Sequence, residues 1–287
     1  MSRPRRYTLI LKCPDRKGIV AAISSYLAEN DASMEESSHF NDREEGIFYM
    51  RTVFREEGPE LPPDDRLRAD LEKIAARFQM QFRLRDASVR PRVLIAVSKF
   101  GHCLYDLVHR WRTGSLEIDI AAVVSNHDDM RSFVEWSGIS YRHLPITAET
   151  KDEQERMMLQ IVDELEIDLV VLARYMQILS PALCEALEGR CINIHHSFLP
   201  SFKGARPYHQ AHARGVKIIG ATAHYVTVDL DEGPIIEQGV HRVDHTHSPR
   251  ECIEAGQAIE AQVLSRAVKW HVEDRVLLAG QKTVVFS

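Results

Sequence analysis

Cysteine is scarce in this sequence and badly placed for pairing. Cys13, Cys103, Cys184, Cys191 and Cys252 make an odd number with no C-x-x-C pair. That argues against a disulfide framework and against a structural zinc site. Unpaired thiols suit a reducing compartment, so a cytoplasmic location is expected. Long apolar runs are also missing. Nothing approaches the roughly 20 apolar residues of a membrane span, and no signal-peptide core follows the arginines near the start, so no membrane partner is expected. Positive charge is not in excess either. Lys and Arg number 36 against 42 Asp and Glu, a formal net charge of -6. A nucleic-acid surface needs a concentrated basic stripe, so no nucleic-acid partner is expected. Repeats and low-complexity tracts are lacking too.

What is present is an ordinary globular composition, 44% hydrophobic and 27% charged over 287 residues. At about 150 residues per domain, two domains are expected. Residues 7–13 alternate as a strand, and residues 14–18 turn the chain. Ile19, Val20, Ile23, Tyr26 and Leu27 follow at helical spacing. Residues 34–40 and 46–54 predict a hairpin. Leu67, Leu71, Ile74 and Phe78 share one face of a helix, and 79–84 close the series as a strand. The order β-α-β-β-α-β is the ferredoxin-like arrangement. A first domain over 1–84 and a polar linker over 85–92 are therefore expected.

From 93 to 287 the pattern changes. Near-continuous apolar strands at 93–98, 118–125, 167–173 and 192–196 alternate with helices near 102–112, 128–137 and 151–165. This predicts a Rossmann-like α/β domain with a mostly parallel sheet covered on both faces. Residues 218–229 and 234–243 predict two longer strands joined by a tight turn. Ser248 and Pro249 predict the capped start of a helix over 248–273.

Ligand sites in open α/β sheets lie beyond the carboxyl ends of the parallel strands. Of those ends, 193–200 is richest in polar chemistry. Residues i and i+2 of a strand share a face, so Asn193 and His195 project together, and His196 points away as a packed residue. An amide beside an imidazole suits oxyanion stabilisation and proton movement; the structural alternative is that the two only satisfy each other. Asp231 lies in a turn that could carry a carboxylate over the same strand ends, or could simply form an Asx turn. His245 and His247 have no third ligand at a sensible spacing, so no metal is expected. Residues 99–102 carry only one glycine, which removes the dinucleotide fingerprint and with it a dehydrogenase reading.

The segment Asn193-Ile194-His195-His196-Ser197-Phe198-Leu199-Pro200 resembles the N-I-H-x-S-x-L-P motif of the folate-dependent formyltransferases. His224-Tyr225-Val226-Thr227 with Leu230-Asp231-Glu232-Gly233-Pro234 resembles their second motif. Arg174-Tyr175-Met176-Gln177-Ile178-Leu179 resembles the loop that cradles the pterin through backbone groups. Ser98-Lys99-Phe100-Gly101-His102-Cys103, the paired histidines and Lys203-Gly204-Ala205-Arg206-Pro207-Tyr208-His209 resemble the deformylase branch. The glycinamide ribonucleotide transferases instead carry a small phosphate-binding loop at 99–105. Cys13-Pro14-Asp15-Arg16-Lys17-Gly18-Ile19-Val20 resembles an ACT domain.

The resemblance implies hydrolysis of a formyl-folate to formate and tetrahydrofolate, with formate passed to purine synthesis. It implies Asn193, His195 and Asp231 as the catalytic set, with folate as substrate and no further cofactor. Lys99, His102, Arg174, Tyr175, Met176, Gln177, Ile178, Leu179 and Gly233 would line the substrate site. Lys99 and His102 have an alternative role in packing and capping the helix that follows them. The ACT likeness implies an amino acid effector at Asp15, Lys17, Gly18 and Ile19, and a homodimer or homotetramer. Two other readings remain: transfer of the formyl group to an unidentified amine, and a non-catalytic amino-acid sensor.

Overall fold

The computed structural model describes residues 4–197 and 207–287, without the side chains of Pro207 and His209. It divides into two compact units. The first comprises 1–90 with 274–277 and 284–287, and the second 91–273 with 278–283.

In the first unit the order is β1 (Arg6–Pro14), α1 (Ile19–Glu29), β2 (Ala32–Asp42), β3 (Ile47–Glu56), α2 (Asp64–Phe78) and β4 (Gln81–Asp86). The sheet runs β2-β3-β1-β4, and every neighbouring pair is antiparallel. Period-2 alternation sends Tyr7, Leu9 and Leu11 of β1 to one face, where they bury against Ile19, Ile23 and Leu27 of α1 and Leu67, Leu71 and Phe78 of α2. The other face carries ion pairs: Glu36 binds Arg51 and Arg275, and Asp274 binds Arg83 and Arg85.

These residues revise the expected boundaries. Arg85 and Asp86 finish β4, and Arg92 opens the next strand, so the connection is shorter than 85–92. The chain end is not wholly part of the second unit, because 274–277 and 284–287 group with the first.

The second unit contains β5 (Arg92–Val97), α3 (His102–Arg112), β6 (Asp119–Ser125), α4 (Arg131–Trp136), β7 (Tyr141–His143), α5 (Lys151–Glu164), β8 (Leu169–Leu172), α6 (Pro181–Ala186), β9 (Cys191–His195), α7 (Pro207–Ala213), β10 (Ile218–Tyr225), β11 (Ile235–Arg242) and α8 (Pro249–Val272). The closing hairpin is β12 (Val276–Ala279) and β13 (Lys282–Val285). The seven-stranded sheet has the order β11-β10-β9-β8-β5-β6-β7. The strands from β9 to β7 are parallel, and β10 and β11 are antiparallel additions at one edge. Val93 to Val97 are all fully buried, as a strand covered on both faces requires.

The predicted longer strands are shorter than expected. β10 ends at Tyr225 and β11 begins at Ile235, which leaves a loop over 226–234. At the start of α8, Ser248 caps the helix with Pro249 in the first turn, as the sequence predicts, and Glu251 completes a reciprocal capping box with Ser248.

Strand order reverses between β8 and β5, the switch point where α/β sheets open a crevice. Ser98 closes that point. Its hydroxyl donates to Asn126 Oδ1 (2.7 Å) and accepts from Met176 N–H (3.0 Å). The ends of β5, β6 and β8 are thereby tied together.

Candidate active site

Asn193 and His195 lie on β9 with half-buried side chains, and Ile192 and Ile194 between and beside them are buried. The antiparallel register with β10 sets His224 opposite Asn193. His224 Nδ1 lies 2.9 Å from the Tyr225 carbonyl. A carbonyl only accepts, so Nδ1 carries the hydrogen and Nε2 is the acceptor in the neutral ring. Asn193 Nδ2 then donates to that Nε2 at 3.3 Å. This fixes the amide, and its second Nδ2 hydrogen is what Asn193 can offer a ligand.

Asp231 completes the group from the loop after β10. Its Oδ2 is 3.2 Å from His195 Nδ1, and its Oδ1 is 3.7 Å from His224 Nε2. The loop reaches back because Tyr225 N–H donates to Pro234 O at 2.9 Å. Gly233 makes that closure sterically feasible, since a Cβ there would stand 1.8 Å from the Tyr225 carbonyl oxygen. Asp231 itself has φ 59°, a left-handed conformation that Asp tolerates better than most residues. Burial pushes the Asp231 carboxyl upward, but the hydrogen bond from His195 and the imidazoles on either side outweigh it. The carboxyl is held well below its usual range and stays ionised.

The other predicted residues divide. Arg174 has φ 64° and begins the loop after β8. Met176 and Ile178 are exposed. Gln177 is half-buried, and Leu179 packs against the sheet core. The Tyr175 side chain is buried and its hydroxyl accepts from Gln154 Nε2 at 2.6 Å. Only its backbone is left for a substrate. Lys99 is exposed beside Phe100. His102 opens α3, and its Nε2 is 2.7 Å from Glu260 Oε2, so the ring is engaged inside the protein.

Within the first unit, Gly18 precedes α1 with φ 94°. Asp15 accepts from Asn41 Nδ2 at 3.0 Å, Lys17 is exposed, and Ile19 is buried in the core. Phe198, Leu199, Pro200, Lys203, Gly204, Ala205 and Arg206 lie outside the described residues, as does the side chain of His209.

Sequence reasoning missed three members of this region. His224 was seen only as part of a motif, because its partnership with Asn193 depends on strand register. Tyr208 too appears only within a motif and Glu260 in none, yet Tyr208 donates to Glu260 Oε1 at 2.6 Å. One metal-like group occurs among the described residues: ligand atoms of His102, Cys103 and Glu260 lie within 4.8 Å of one another. The Glu260 oxygens already receive His102 and Tyr208, and Arg174 Nε stands 3.4 Å away. A guanidinium at that distance opposes a second cation. His247, the other metal candidate, pairs with Asp244 in an exposed turn.

Comparison with known proteins agrees with this geometry. The formyl transferase family model matches residues 91–268. A formyltetrahydrofolate deformylase of Corynebacterium sp. (strain P-1) is 49% identical over 99% of each chain. One from Bacillus subtilis (strain 168) is 46% identical over 97% of this chain and 93% of its own. The crystal structure of formyltetrahydrofolate deformylase from Burkholderia mallei has a TM-score of 0.93 at 50% identity, covering 99% of this chain and all of that one. A glycinamide ribonucleotide transformylase from Symbiobacterium toebii gives 0.65 at 26% identity over 69% of this chain and 95% of its own. The chain belongs to the formyl transferase family and, within it, to the formyltetrahydrofolate deformylases.

Proposed function

We propose that this chain hydrolyses 10-formyltetrahydrofolate to formate and tetrahydrofolate. The observation that carries the reading is the Asp231 carboxylate set 3.2 Å from His195 Nδ1, with Asn193 on the same strand face. Attack of water on the formyl carbon puts negative charge on the formyl oxygen. Asn193 and protonated His195 donate to that oxygen, which is where fixed donors act most strongly. Asp231 orients the water and takes its proton, directly or through a shuttle. Its low proton affinity derives from the two imidazoles beside it. The water's proton passes to Asp231 during attack, and once His195 has delivered its own proton to the departing folate nitrogen, Asp231 returns that proton to the imidazole beside it. The C–N bond breaks, the nitrogen keeps the electron pair with the delivered proton, and formate leaves.

The residues after β5 favour water over an amine. Phe100 lies 5.9 Å from the Arg174 guanidinium, and Gly101 packs against Met130 and Tyr105. These are bulky side chains where a phosphate cradle needs small ones. Formate and tetrahydrofolate released from formyl-folate as sole substrate test the reaction. Efficient formyl transfer to glycinamide ribonucleotide would refute it.

The first unit carries the β-α-β-β-α-β order of a ferredoxin-like ACT module, and we read it as regulatory. Its effector would be an amino acid at the turn of Asp15, Lys17 and Gly18. The exposed Lys17 offers a cation and the turn offers backbone N–H groups; Ile19 would serve by holding α1 in the core. A homodimer or homotetramer in the cytoplasm is the assembly expected. Among the described residues no helix is long and apolar enough to cross a membrane.

A further inference from the structure

Glu260 is a buried charge that the hydrolytic scheme does not use. It lies within α8 on the face shared by Val263, Leu264 and Ala267, and all four are almost fully buried. A carboxylate in an apolar stripe persists only where donors reach it. Three elements supply them. His102 at the start of α3 meets Oε2 at 2.7 Å, and Tyr208 of α7 meets Oε1 at 2.6 Å. Arg174, after β8, forms an ion pair at 3.4 Å without hydrogen-bond geometry. Gly256, one turn earlier on α8, lets Tyr208 in, because a Cβ there would stand 2.2 Å from its ring. Burial works to raise the Glu260 carboxyl, but the His102 bond, the Arg174 charge and the Tyr208 bond hold it low.

This cluster adjoins the reaction centre. The ring of His196 lies 5.2 Å from that of His195 and 6.4 Å from that of Tyr208. Arg174 and Glu260 act on its imidazole, as do His195 and Asp231. We propose that Glu260 determines acceptor specificity: it is a built-in anion that occupies the His102 and Tyr208 donors and offsets the Arg174 charge, so an anionic amine is refused and water remains. This rests on the hydrolysis reading above. Phosphate or carboxylate groups are bound by fixed cations and N–H or O–H donors, and here His102 and Tyr208 already bond Glu260 while Arg174 is paired with its charge. A second anion would also meet a like charge at close range.

Inorganic phosphate is the probe, read by calorimetry on the full chain at constant ionic strength. Formate release by the wild type tests hydrolysis separately, so the two ideas fail independently. Wild type is expected to bind phosphate only weakly and outside this cluster. Glu260→Gln keeps the size and a hydrogen-bond acceptor but removes the charge, and should bind it at least about tenfold more tightly. Equal binding by folded Glu260→Gln and wild type overturns the proposal. Should that variant not fold, the wild type still decides: the His102 ring resonance should not move when phosphate is added, and a saturable shift overturns the proposal.

Discussion

Gly233→Ala tests whether the loop over 226–234 serves chiefly to deliver Asp231. The new Cβ would sit 1.8 Å from the Tyr225 carbonyl oxygen, a backbone atom of β10 that cannot swing aside. Relief even to the closest tolerated contact of 3.0 Å requires the loop to move by more than about 1 Å. Asp231 begins 3.2 Å from His195 Nδ1, so that displacement takes it beyond hydrogen-bond range. The bond from Tyr225 N–H to Pro234 O, 2.9 Å long, should be lost too, costing about 1 kcal/mol. Misplacement of a reacting group by about 1 Å costs on the order of 10²-fold in rate. The variant should therefore fold, with a midpoint close to wild type in urea, and release formate about 10²-fold more slowly in a single-turnover assay. Combined with Asp231→Asn it should lose little more, because both changes remove the same interaction. A folded Gly233→Ala with turnover within about threefold of wild type would refute the reasoning, as would full additivity in the double variant.

Asp231→Asn and His195→Ala should each fold and lose about 10²–10³-fold in turnover; near-wild-type rates of formate release would sink the assigned roles. Ser98→Ala removes the acceptor of Met176 N–H and the donor to Asn126. It should destabilise by about 1–3 kcal/mol and raise KM more than it lowers kcat; an unchanged KM in a stable variant would contradict the tie. Burial, then the charge of Arg174, lowers His196 to about 4, while an unfolded histidine titrates near ~6.5. Between those values the unfolded chain binds the extra proton, so stability falls as pH drops from about 6.5 toward 4, by up to about 3 kcal/mol before solvent screening. His196→Asn should flatten that stretch of the urea midpoint profile, and an undiminished slope would exclude the assignment.

What could be read from the sequence depended on how far apart the partners lie along the chain. Asn193 and His195 are two residues apart, so strand period alone set them on one face. Asp231 could be placed near them only through motif likeness, because its position depends on a loop whose closure rests on Gly233 and a backbone bond. His224 needed more: its meeting with Asn193 is a consequence of antiparallel register between β9 and β10, and the sheet could have added its last strands in another order. Tyr175 shows a different limit. It sits in the irregular segment after β8, between half-buried Arg174 and exposed Met176, and its side chain turns into the core, where Gln154 bonds its hydroxyl. A period cannot assign the facing of a residue in an irregular segment.

Glu260 did leave a trace. It falls three and four residues before Val263 and Leu264, so helical spacing places it on the apolar stripe of α8. A carboxylate on a buried stripe is a mismatch between local pattern and burial, and such mismatches concentrate at functional sites. The mismatch could have marked the position but not the partners. His102, Arg174 and Tyr208 come from distant parts of the chain, and only the folded sheet brings them to one carboxylate. The segment at 99–105 was read as the difference between hydrolysis and transfer because of its bulk. The structure adds a second element of the same kind, a charge rather than a volume, supplied by a helix whose sequence otherwise shows little but a cap and a stripe.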